Sequence, residues 1–191
     1  MKTLKIIALT SLLAGFTLPV TAHIDVLSPK PLLDGKAQMF RALKQQPFGA
    51  PGVDVAAADA HTFYSSQTID LKIDSYVYHP GNIVFLWTRD FEGKDQEPAW
   101  SIPSENAEIP LHNYLGQVES PCVDNGEGGC LRGRRGKAII DTQVTLPDVE
   151  GEIILVVRQV MTDKFDKQED GSVGLKRIYY HQAIKINLVA T

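Results

Sequence analysis

The sequence predicts an all-β sandwich, and three observations carry that prediction. Apolar and polar residues alternate instead of recurring with a helical period, most clearly where Ile69, Leu71 and Ile73 interleave with Asp70, Lys72 and Asp74. Similar runs recur at 83–88, 138–146, 153–161 and 178–188. Turn-rich sequence separates them, and several short strands so spaced are the signature of a sandwich.

The chain opens with a different kind of segment. Lys2 and Lys5 precede an apolar run over 6–18, and Pro19-Val20-Thr21-Ala22 ends in small residues. Residues 1–22 therefore read as a secretory signal peptide cut just before His23. The apolar run is shorter than the ~20 residues of a transmembrane helix, and no later run is long and apolar enough for that role. We expect one domain over 23–191, exported to the periplasm or secreted, monomeric and without membrane insertion. Removing Lys2 and Lys5 from the 19 basic side chains leaves 17 against 23 acidic ones, a formal charge of −6. Such a balance offers no electrostatic footprint for nucleic acid.

After the first strand the pattern breaks. Residues 30–60, preceded by Pro29 and carrying Pro31, Pro47 and Pro51, read as a long elaborated loop with a short helix around 37–45. Residues 164–173 read as a polar connection inside the domain. The only two cysteines, Cys122 and Cys130, bracket a glycine-rich stretch, and an oxidising compartment lets such a pair close as a disulfide. A thiolate metal site would need further cysteines that the chain does not have.

The place of the cut is the chemically informative feature. A chain starting at His23 offers a free α-amine and an imidazole from one residue, and these can chelate one metal ion. A third nitrogen from another histidine completes a planar T-shaped set, which suits Cu(II) better than the tetrahedral preference of zinc. His79 is the best-placed third donor, because His79-Pro80-Gly81 forms a tight turn just before the strand at 83–88. His61 and His112 have no comparable strand-end position. Alternation in the last strand groups Tyr180 with Ile184, Ile186 and Leu188, and places His181 on the opposite, outward face with Lys185 and Asn187. Tyr180 then points into the sandwich or toward its end.

These residues resemble the lytic polysaccharide monooxygenases, more narrowly bacterial secreted proteins of polysaccharide-monooxygenase-like type. The resemblance lies in Ala22-His23, in Tyr78-His79-Pro80-Gly81, in the stretch from Arg158 and Gln159 to Lys164, and in the stretch from Tyr179 and Tyr180 to Leu188. It implies an immunoglobulin-like or fibronectin-III-like sandwich whose histidine brace, His23 and His79, holds copper as the cofactor. It also implies an axial aromatic at Tyr180, or at Tyr179 if the strand slips by one residue, and a polar neighbour of the site at Gln159. The implied activity is copper-dependent oxidative cleavage of a chitin-like or cellulose-like polysaccharide, an oxidoreductase reaction that needs no pair of catalytic carboxylates. Two departures stand out. Ile154 and Gln182 occupy the neighbourhood where related proteins often carry a cysteine pair, and the acidic residue that commonly follows the axial aromatic is absent, with Lys185 nearby. A sandwich can keep a copper brace without oxygenase activity, so storage, delivery or sensing of copper is the alternative expectation. A metal-free sandwich that binds a protein or sugar is a third.

Overall fold

The computed structural model describes residues 24–33, 44, 48–92, 113–121, 135–161, 165–167, 171–175 and 179–191. The leader, His23, His112, Trp100, the cysteine pair and all but Lys44 of the helix expected at 37–45 lie outside them.

The described residues form ten strands: β1 (Ile24–Ser28), β2 (His61–Tyr64), β3 (Thr68–Val77), β4 (Gly81–Thr88), β5 (Tyr114–Glu119), β6 (Arg135–Thr145), β7 (Gly151–Met161), β8 (Phe165–Lys167), β9 (Val173–Leu175) and β10 (Tyr179–Val189). They build a three-stranded sheet in the order β1-β3-β6 and a five-stranded sheet in the order β2-β10-β7-β4-β5, with β8 and β9 as a separate pair. Every pairing is antiparallel except β2 with β10, which is parallel. The protein is thus an all-β sandwich, with a long non-strand passage after the first strand.

Alternation explains the three-stranded sheet. Ile69, Leu71 and Ile73 are buried on one face of β3, while Asp70 and Lys72 stay exposed on the other. Polar pairs Asp70–Gln143 and Lys72–Asp141 line that solvent face. The buried face meets Ile83, Phe85, Leu155, Val157, Ile184 and Ile186 of the five-stranded sheet in one apolar cluster. Each such side chain contributes about 1.5–3 kcal/mol when fully buried.

The five-stranded sheet obeys a different rule, and this corrects the outward placement expected for His181 and Lys185. Both are buried, because the second face of this sheet is also covered. Phe48 and Val55 of the long passage pack there against Val84, Leu86, Ile154, Val156, Val160 and Ala183. A sheet buried on both faces needs apolar residues at consecutive positions, which accounts for the unbroken run Ile153-Ile154-Leu155-Val156-Val157. The passage is tied down at several points. Leu32 donates its N–H to the Ala183 carbonyl at 2.7 Å, and the Lys185 ammonium donates to the Ala56 and Ala58 carbonyls at 2.6 and 3.0 Å. Lys185 also lies 3.2 Å from the Glu152 carboxylate.

Candidate functional site

One end of the sandwich collects three of the residues that the sequence singled out, His79, Tyr180 and Gln159. β3 runs out at Val77 and β4 starts at Gly81, so His79 sits on a crossing of only three residues between the sheets. Gly81 pairs with Met161 at the end of β7, and Tyr180, near the start of β10, pairs with Gln159. β1 starts at the same end, with Ile24 opposite Ser75 of β3. His79 is 2% exposed and Tyr180 is 3% exposed.

Register fixes where these side chains point. Tyr180 shares the core face with Ile184, Ile186 and Leu188, as alternation predicted, and joins the apolar cluster between the sheets. Burial pushes its phenol up to about 12, so Tyr180 is neutral at ordinary pH. The Lys44 ammonium stands 4.9 Å from the centre of its ring, a cation–π contact from the long passage. Gln159, on the same face and 0% exposed, has no hydrogen-bond partner for either amide atom among the described residues. The Ser75 hydroxyl, on the core face with Ile24 and Ile73, is buried and likewise unpartnered among them. Gln182, two residues after Tyr180, accepts from the Val26 N–H and donates to the Leu33 carbonyl at 3.1 Å. Polar groups therefore enter the core at this end, beside Ile24, Ile83 and Met161.

His181 and Arg158 pair in the next register position and face the other way. Desolvation, and then the nearby Arg158 guanidinium, hold His181 well below the usual histidine value, so it is a neutral imidazole away from the Tyr180 face. His61 is far off on edge strand β2, with its Nε2 2.9 Å from the Lys30 carbonyl. Asp25 and Asp74 are buried opposite one another, but on the outer face of the three-stranded sheet.

The structure thus brings His79, Tyr180 and Gln159 to one end, while His23 and the side chain of Tyr179 lie outside what is described. Among the described residues no group of three His, Cys, Asp or Glu side chains comes together. The side chains at this end fit copper in their chemistry: imidazole, phenol and amide, with the buried carboxylates on another face. Sequence reasoning missed Ser75 and named Gln182 only as a departure from the resembled family. The parity of 69, 71 and 73 points to Ser75, and that of Tyr180 points to Gln182. No protein-family model matches the chain, and no curated protein sequence matches it.

Proposed function

We propose that this is an exported copper-binding protein that holds the ion through the α-amine and imidazole of His23 and the imidazole of His79. The observation that supports this reading is the convergence of the β1 start, His79 and Tyr180 at one polar end of the sandwich. Three nitrogens would dominate the binding; Tyr180, a neutral phenol, would be a weak neighbour of the ion, and the Gln159 amide, without a partner among the described residues, would be open to hydrogen-bond there. Bound copper would supply the redox chemistry that oxidative cleavage of a chitin-like or cellulose-like polysaccharide requires. The chain's own part is to fix the donors and keep competing ligands out. Export through the 1–22 leader places the protein in the periplasm or outside the cell, as a monomer with Cys122 and Cys130 joined. Among the described residues no helix is long and apolar enough to cross a membrane.

A second reading, copper storage or delivery without catalysis, has an observation in its favour. His79 and Tyr180 are almost fully buried, and Trp87 and Tyr114 are half-buried against the two apolar clusters. The exposed aromatic among the described residues is Tyr64, about 30 Å away at the far end of the Tyr180 strand. Copper titration followed by electron paramagnetic resonance tests the binding, and product analysis on chitin and cellulose separates the two readings. Protein starting at His23 should bind Cu(II) with a nitrogen hyperfine pattern. An additional residue before His23, which turns the amine into an amide, or His79→Ala, should each weaken binding at least tenfold. Equal affinity and an identical pattern in the extended protein would refute the brace. Copper binding without oxidised sugars would favour the carrier.

A further inference from the structure

We infer that Gly81 is a positioning residue for His79 and therefore, resting on the reading above, for the third nitrogen of the copper set. Residues 78–80 alone join β3 to β4, and they cross between the sheets. Val77 pairs with Arg135 in one sheet and Gly81 with Met161 in the other. Packed sheets stand roughly 10 Å apart, and the four steps from Val77 to Gly81 reach at most roughly 13–14 Å. His79 hangs in the middle of this short span. Pro80 removes more slack, since its ring fixes its own φ and restricts the backbone of the residue before it. The start of β4 therefore decides where His79 stands.

That start lies against the backbone of β7. Gly81 has φ +135°, and a Cβ there would lie 2.0 Å from the Val160 carbonyl oxygen and 3.1 Å from its carbon. The obstacle is the main chain of a strand paired on its other side with β10, so it cannot swing away as a side chain could. From the other side the Gly81 carbonyl accepts the Ser120 N–H at 2.9 Å. Any L-side chain at 81 must push the start of β4 off β7 by roughly 1 Å or more before ordinary contact returns. Val160 pairs with Tyr179 and adjoins the Gln159–Tyr180 pair, so the same contact sets His79 relative to Tyr180. Sites of this kind tolerate about 0.5 Å of error.

The test compares Gly81→Ala with Gly151→Ala. Gly151 also has a positive φ, +91°, but a Cβ there meets nothing within 4 Å, so its variant reports the backbone penalty alone. Gly81→Ala should weaken Cu(II) binding about tenfold or more, change the nitrogen hyperfine pattern, and shift the His79 ring resonance of the metal-free protein. Gly151→Ala should leave all three unchanged. Pro80→Gly, which adds slack without a Cβ, should broaden the copper spectrum and weaken binding several-fold even if Gly81→Ala does not fold. A folded Gly81→Ala with wild-type affinity, spectrum and His79 resonance overturns the inference; so does an unaltered Pro80→Gly. If wild-type protein shows no nitrogen hyperfine pattern, the copper reading fails, and the His79 resonance still decides the role of Gly81.

Discussion

Replacing Gln159 by methionine should make the metal-free protein more stable. Its amide is fully buried, flanked in register by Ile83 and Tyr180, with no hydrogen-bond partner among the described residues for oxygen or nitrogen. An unpaired polar group of this kind costs about 1–3 kcal/mol in proteins, since it loses water and gains nothing. Methionine is unbranched and similar in length, so it fills the same space without that penalty. A gain of about 2 kcal/mol corresponds to roughly 4–8 °C in Tm for a domain of this size. Thermal unfolding followed by circular dichroism, without copper so that ligand linkage does not contribute, measures it. Gln159→Ala, which opens a cavity, should instead lose stability. The reasoning is refuted if Gln159→Met unfolds more than about 3 °C below wild type, for that loss would mean that the amide is paired. If the amide serves the copper site, the more stable variant should show an altered copper spectrum, a trade of site against stability.

Three further outcomes follow from particular contacts. Lys185→Met keeps the buried stem but removes the ammonium that holds the Ala56 and Ala58 carbonyls; it should cost about 1–3 kcal/mol and speed hydrogen exchange or proteolysis across residues 54–60. His181 has a folded value below its unfolded one of about 6.5, so the unfolded chain binds the extra proton first and stability falls as pH drops below about 6.5, by at most about 1.4 kcal/mol per pH unit. Urea titrations at pH 7 and 5 should show a smaller acid loss in His181→Leu than in wild type. Peptide mapping without reductant should find Cys122 linked to Cys130, and two free thiols in protein folded in the periplasm would contradict the disulfide.

The fold class was legible because alternation is a local property. Ile69, Leu71 and Ile73 needed no neighbour to announce a half-buried strand, and each of the five runs read from the sequence became a strand. The short strands were not legible: β2 and β5 have half-buried, exposed or polar residues and owe their strand form to the edges they pair with. Parity placed Tyr180 correctly and misplaced His181 and Lys185 by the same logic. Alternation tells which residues share a face, but not whether a face is covered, and here a passage distant in sequence covers it with Phe48 and Val55. His79 could be placed at a strand end because Pro80 and Gly81 mark the turn. The closeness of Gly81 to Val160 depends on strands that meet only in three dimensions.

The two central strands carry opposite characters along their length, and that division places the candidate site. Around Leu155, Val156, Ala183 and Ile184 both faces are apolar and buried, so this half can supply most of the packing energy. Around Arg158, Gln159, Tyr180 and His181 both faces carry polar groups, equally buried. Buried polarity on both sides of the same register weakens a sheet unless every group finds a partner. Gln159, unpartnered among the described residues, stands on the same face as Tyr180, at the end where His79 crosses between the sheets. The apolar half holds the strands in register, and the polar half includes the Gln159 amide, which no described residue engages. On the proposed reading, the amide left unpaired among the described residues, beside a histidine on a short crossing, marks where local stability yields to a ligand site at the end of the sandwich.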